Sequence, residues 1–121
     1  MYRILQIEDL PSDAYLVRRE VSRALNDACD FQIVEDSEAF VTALTEFNPD
    51  LIISDFSIPG FDWQTALRHV AENGLHTPFF VVSGSMSEDI RQECIDAGAT
   101  EFICKDNIAK LGPAVIKALR K

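Results

Sequence analysis

Five side chains of complementary chemistry close four short apolar runs of this chain. Glu8 and Asp9 follow Tyr2 to Ile7, and Asp55 ends Leu51-Ile52-Ile53-Ser54. Ser83 ends Pro78-Phe79-Phe80-Val81-Val82, and Lys105 follows Thr100 to Cys104. Three carboxylates in one cleft repel one another: at ~5 Å and an effective dielectric of about 20, each pair costs roughly 3 kcal/mol. A divalent cation relieves that cost. Magnesium suits the set best, because it takes one or two carboxylates, keeps several waters and leaves room for a phosphate oxygen. The Ser83 hydroxyl and the Lys105 ammonium would complete a pocket for an anion with three free oxygens. Taken singly, each residue has a plainer role. A strand-terminal Asp is a cap or a solvated loop residue, Glu8-Asp9 suits the approach to a helix N-terminus, Ser83 is a turn residue and Lys105 a surface lysine. Only their convergence is specific.

Convergence requires a fold that lays those run ends side by side. Leu51 to Asp55, entered through Asn48-Pro49-Asp50 and left through Phe56-Ser57-Ile58-Pro59-Gly60, reads as a strand buried on both faces of a parallel sheet. Tyr2 to Ile7, Phe31 to Val34, Pro78 to Ser83 and Thr100 to Cys104 are the other strands. Leu10-Pro11-Ser12-Asp13 opens a helix, with Pro near its first turn and Ser and Asp available as caps. Its inward stripe is Ala14, Val17, Val21, Ala24, Leu25 and Ala28. Ser37 caps the next helix, whose stripe is Phe40, Ala43, Leu44 and Phe47. Pro59-Gly60 marks a turn before a third helix with Ala66, Leu67, Val70 and Ala71 inward and Gly74 as its stop. Ser85 or Ser87 caps a fourth helix, with Ile90, Cys94 and Ala97 inward and Gly98 ending it. Gly112-Pro113 breaks the last segment into a short turn and a final helix through Leu119. Strand and helix alternate five times, which predicts an α/β domain: one doubly wound, five-stranded parallel sheet of flavodoxin-like order 2-1-3-4-5, with helices on both faces.

Size and composition agree with one domain over residues 1–121. The chain is 47% hydrophobic with a net charge of −9, which argues against non-specific binding to nucleic acid or anionic membrane. No apolar run is long enough to span a bilayer, and the N-terminus lacks a signal-peptide pattern. Cys29, Cys94 and Cys104 lie in apolar segments without C-x-x-C spacing, so neither a disulfide framework nor a zinc site is expected. The plain expectation is a reduced, cytoplasmic protein.

The chain resembles a response regulator receiver domain of two-component signalling over essentially its whole length. The matching features are Glu8-Asp9, Asp55-Phe56-Ser57-Ile58-Pro59-Gly60-Phe61-Asp62, Ser83-Gly84, Ala97-Gly98-Ala99, and Phe102 with Lys105. The resemblance implies that Asp55 is the phosphoacceptor, taking its phosphoryl group from a phosphohistidine on a histidine kinase or histidine phosphotransfer protein. Asp9, Asp55 and the backbone carbonyl of Ser57 would bind Mg2+, with Glu8 acting directly or through water. Ser83 and Lys105 would hold the phosphoryl oxygens. Ser83 and Phe102 would be the switch pair that reshapes the face of helix four, strand five and helix five. Such a chain is a phosphoacceptor with self-catalysed transfer and autodephosphorylation, not a turnover enzyme. It is either a stand-alone regulator or a receiver excised from a protein with a kinase or effector domain.

The sequence departs from that family's pattern in two places. Receivers usually carry Pro after the Lys, often with a cis bond; here Asp106 follows, and a cis bond at a non-proline residue costs about 3 kcal/mol, so a trans bond is expected. Asp106 could also pair with Lys105. The Lys105-Asp106-Asn107 variant is similar to receivers attached to sensor kinases. Trp63 stands where many receivers have Gly, covering the core edge near the cleft. His69, on the polar side of helix three, and His76 lack the helical bundle of a phosphohistidine protein. Ser57 and Ser85 border the route of attacking water and should influence phosphoryl lifetime. The competing readings are a receiver-like partner-binding module that is not phosphorylated, an aspartyl-nucleophile phosphohydrolase, and a flavin or nucleotide module. The second usually needs Asp where Ser57 stands. The third needs a Gly- or Ser/Thr-rich phosphate loop where Glu8-Asp9-Leu10-Pro11 would repel phosphate.

Overall fold

In the computed structural model, which describes residues 1–84 and 87–120, five strands pair in parallel in the order β2-β1-β3-β4-β5. The strands are β1 (Tyr2–Ile7), β2 (Cys29–Val34), β3 (Leu51–Asp55), β4 (Phe79–Ser83) and β5 (Glu101–Cys104). Between them run α1 (Pro11–Ala24), α2 (Ser37–Glu46), α3 (Trp63–Glu72) and α4 (Glu88–Asp96). After β5 a 3-10 turn (Lys105–Lys110) leads into α5 (Leu111–Leu119). This is the doubly wound sheet that alternating strand and helix patterns predict, with the flavodoxin-like order.

Alternation along each strand feeds two cores. Leu5, Ile7, Ile52, Phe79, Val81 and Phe102 face α2, α3 and α4, where Phe40, Trp63, Leu67, Val70 and Cys94 meet them. Ile4, Leu51, Ile53, Phe80, Val82 and Ile103 face α1 and α5, against Val17, Val21, Leu111 and Val115. Each of these side chains loses nearly all its exposure, worth about 1.5–3 kcal/mol for a full-sized aliphatic or aromatic group. Cys94 belongs to the first core; burial and then the charge of Glu93 push its thiol up to about 11, so it stays protonated filler. Cys29, Cys94 and Cys104 are all free thiols.

Turn chemistry positions the loop after β3. Ile58-Pro59-Gly60-Phe61 closes with the Phe61 N–H donating to the Ile58 carbonyl at 3.1 Å. Gly60 supplies the φ of +77° that the third position of a type II turn demands. The turn drives Ile58 and Phe61 into the core, where Phe61 meets Phe40 edge-on with ring centroids 5.8 Å apart. Ser57 is thereby held beside Asp55.

Several element ends differ from the sequence expectation. α1 begins at Pro11 after Leu10, and neither Ser12 nor Asp13 caps it; Asp13 has another partner, described below. The helix stops at Ala24 because Asn26 and Asp27 take positive φ, so Leu25 lies beyond it and Ala28 is exposed. Asp36, not Ser37, caps α2, accepting the Ala39 N–H at 2.8 Å: a carboxylate at that position also meets the helix dipole. Ala71 and Ala97 are exposed, leaving narrower stripes on α3 and α4. Ser87 caps α4 by accepting the Ile90 N–H at 3.3 Å; Ser85, the alternative, lies outside the described residues. Gly112-Pro113 does not break α5 but sits in its first turn, where proline's missing N–H costs nothing. Gly112 lets α5 approach α1 closely, since a Cβ there would stand 3.3 Å from that of Ala24.

Candidate functional site

The residues after β1 and at the ends of β3 and β5 bring charges to one rim. Leu51 and Ile53 face α1 and α5, and Asp55 shares their parity, as Lys105 shares that of Ile103. The distances bear this out. The Lys105 ammonium lies 3.0 Å from Asp55 Oδ1, 3.5 Å from Glu8 Oε1 and 2.7 Å from Asp13 Oδ2. Its side chain is 15% exposed, which leaves these attractions stronger than those of a surface pair. Glu8, Asp9 and Asp55 each present a carboxylate oxygen within 4.8 Å of the others.

Glu8 is the most buried of the acids, at 4% exposure. Its Oε2 accepts the N–H groups of Asp9 at 3.1 Å and Leu10 at 3.2 Å. Burial, then the negative charge of Asp55, pushes its carboxyl up to about 7, against the pull of Lys105 and the Leu10 N–H. For Lys105, burial works downward, but hydrogen bonds to Asp13 and Asp55 and the charges of Asp55 and Glu8 override it and raise the ammonium above its usual range. The basin is therefore short of positive charge even with one lysine in it. Hard oxygen donors in this number and proximity fit Mg2+, and Glu8, Asp9 and Asp55 are the side chains that could hold it.

A cleft of about 320 Å³ opens beside the basin, lined by Asp55, Phe56, Ser57, Ser83, Gly84 and Lys105. It gathers the anion-binding groups named from sequence, while Glu8 and Asp9 border a neighbouring hollow with Arg18 and Glu35. Ser83, 4% exposed, ends β4 one register step from Asp55, which pairs with Val82. Phe102 does not line this cleft. Buried at 8% exposure, it pairs in register with Val81 and borders a groove with Arg91, Asn107, Lys110 and Ala114, on the side of α4 and α5.

Two expectations about Lys105 now have answers. The Lys105–Asp106 bond is trans, and the lysine still reaches Asp55. Asp106 is exposed in the 3-10 turn and is not among the lysine's ion-pair partners. Asp13 is the residue that sequence reasoning assigned elsewhere, to helix capping. Its signal was its place in the first turn of the helix covering the face to which Asp55 and Lys105 point.

A family model described as response regulator receiver domain matches residues 4–116. Over 100 residues the chain is 33% identical to a protein-glutamate methylesterase/protein-glutamine glutaminase 2 of Pseudomonas fluorescens, covering 78% of this chain and 26% of that protein. Over 103 residues it is 23% identical to the transcriptional regulatory protein TrcR of Mycobacterium tuberculosis, covering 85% and 39%. The chain thus spans about a quarter to two-fifths of the length of these curated relatives. It is similar to the crystal structure of a signal receiver domain from Vibrio parahaemolyticus, with a TM-score of 0.84, 26% identity, and coverage of 98% of this chain and 90% of that one.

Proposed function

The chain belongs to the response regulator receiver domain family, and from that premise we propose that it accepts a phosphoryl group from a phosphohistidine onto Asp55. The observation that carries the reading is the Lys105 ammonium 3.0 Å from Asp55 Oδ1, at the edge of a basin of three carboxylates. A carboxylate oxygen of Asp55 attacks phosphorus, the phosphorus–nitrogen bond of the donor breaks, and the imidazole nitrogen leaves with the electron pair. Lys105 stays close enough to exchange an Asp55 oxygen for a phosphoryl oxygen, and the Ser83 hydroxyl donates to another. Asp9, Asp55 and the backbone carbonyl of Ser57 would hold Mg2+, with Glu8 bound directly or through water. When bound, the ion supplies the positive charge that offsets the approach of an anionic donor to an anionic site. What remains for the protein is positioning.

Phosphorylation adds charge and three acceptor oxygens beside Ser83. Ser83 and Phe102 form the switch in this reading: movement of the hydroxyl frees or fills space behind it, and the ring answers on the groove side. A partner or an attached effector or kinase domain would read that α4–β5–α5 face. The reading makes the chain a cytoplasmic, self-catalysed acceptor of a two-component system rather than a turnover enzyme. The unphosphorylated-module alternative drew its strength from the residue after Lys105. With the lysine 3.0 Å from Asp55, that departure no longer speaks for it.

Intact-mass measurement after acetyl phosphate treatment tests the proposal. One phosphoryl group is gained with magnesium and lost from the spectrum with chelator, and an unchanged mass under both conditions overturns it. A quieter prediction concerns Trp63. Its ring packs on Phe56, centroids 6.0 Å apart, and Phe56 adjoins Asp55. Its fluorescence therefore changes on magnesium titration, and changes less in Asp55→Asn. Flat, superimposable titrations of both proteins would remove Trp63 as a reporter.

A further inference from the structure

The shortest hydrogen bond that Lys105 makes is not to Asp55 but to Asp13, at 2.7 Å. The two residues are 92 positions apart, so neither turn geometry nor helix spacing forces the contact. Asp13 is the third residue of α1, where an acidic side chain ordinarily satisfies the helix's own first N–H groups. It makes no such bond here, and α1 has no side-chain cap. Its carboxylate is committed to the lysine instead.

The mount is rigid. Gln6, 1% exposed on β1, donates its amide to the Ala14 carbonyl at 3.3 Å, tying the first turn of α1 to the sheet. At the other end α1 is locked against α5 by the close approach at Gly112. Lys105 opens the 3-10 turn, one residue beyond the paired ladder of β5. A trans bond follows it, and the 3-10 turn beyond contains Asn107 at φ −120° and ψ 40°, outside helical values. A free lysine side chain gives up rotamer entropy when held in one place. Something other than the local chain has to hold it.

We infer that Asp13 is a positioning residue for Lys105, anchoring the ammonium at the mouth of the cleft so that it can pass from Asp55 to a phosphoryl oxygen without leaving the site. The ammonium has three protons and three carboxylate neighbours. When Asp55 becomes phosphorylated, one neighbour turns into a phosphoryl acceptor, while Asp13 keeps the nitrogen within reach. The inference rests on the proposed acceptor role of Asp55, and the test separates the two.

The probe is beryllofluoride, which stands in for a phosphoryl group on a carboxylate, titrated with magnesium and followed by 19F NMR. Wild type binds, with resolved bound resonances. Asp13→Ala weakens binding about tenfold and shifts those resonances, and Asp13→Glu restores most of the affinity. Magnesium affinity without beryllofluoride changes far less. In a Lys105→Ala background, Asp13→Ala costs nothing further, which a role confined to helix stability would not produce. Wild-type affinity in Asp13→Ala, or an equal loss with and without Lys105, overturns the inference while leaving the acceptor role standing. Failure of the wild type itself to bind overturns both.

Discussion

Asp55→Asn takes up no phosphoryl group from acetyl phosphate under conditions that saturate the wild type, and it unfolds at a higher temperature in metal-free buffer. The first half follows from chemistry: an amide of the same shape offers no anionic oxygen to attack phosphorus. The second follows from the charge count at the rim. Glu8, Asp13 and Asp55 are the ion-pair partners of Lys105, and Asp9 adds a fourth carboxylate beside Glu8 and Asp55. Removing one of four negative charges relieves repulsion, and the Asp55 charge is the second-largest cause of the raised Glu8 carboxyl. Lys105 keeps Asp13 and Glu8 as partners, so no cation is stranded. A gain of about 1 kcal/mol is expected near pH 8, read by thermal or urea unfolding. Lost uptake accompanied by lower stability would instead mean that Asp55 is structural.

Lys105→Ala moves both quantities the other way. Uptake slows about a hundredfold, because one of the groups meeting the phosphoryl oxygens is gone. Stability falls by about 3 kcal/mol near pH 8, since four acids then face one another without their counterion. The loss depends on pH in a defined direction. In the wild type, burial and then the Asp55 charge push the folded Glu8 carboxyl up to about 7 from an ordinary 4.5. Its contribution to stability is full below about 4.5 and is lost as pH rises through 7. Without Lys105, which lowers the Glu8 carboxyl, that titration moves higher still. The deficit of the variant is therefore widest above pH 8 and narrows steadily toward pH 5, as Glu8 picks up a proton. Unfolding midpoints at four or five pH values check this; a deficit that widens on acidification would show that the lysine acts elsewhere.

The residues that carry chemistry were the easiest to read, and the reason is geometric. A run such as Leu51 to Ser54 has little choice but to be a buried strand, and its terminal carboxylate must then stand at the rim. Glu8, Asp9, Ser83 and Lys105 follow by the same logic once the strand order is set. The repulsion within the acidic basin was reckoned without its lysine, however. The repulsion among Glu8, Asp9 and Asp55 is already partly offset by an ammonium 3.0 Å from Asp55. Asp13 escaped notice because capping is a local rule and its contact is not local. Asp36 and Ser37 are both good caps one position apart, and only the backbone angles of Asp36 decide between them. Ala28, Ala71 and Ala97 extended helical stripes on paper, but methyl groups are small enough to lie outside a core without penalty.

The five-stranded order has a further bearing on when the protein becomes competent. The residues that meet at the rim run from Glu8 to Lys105, and β5 is an edge strand and the last made, joined only to β4. A chain still emerging from the ribosome holds the acids before it holds their lysine. Until the last strand docks it carries an acidic notch without its counterion, where the proposed transfer would run slowly. In the proposed reading, competence to accept a phosphoryl group thus arrives together with completed folding, so partly made or partly unravelled copies would stay silent instead of draining phosphate from a donor.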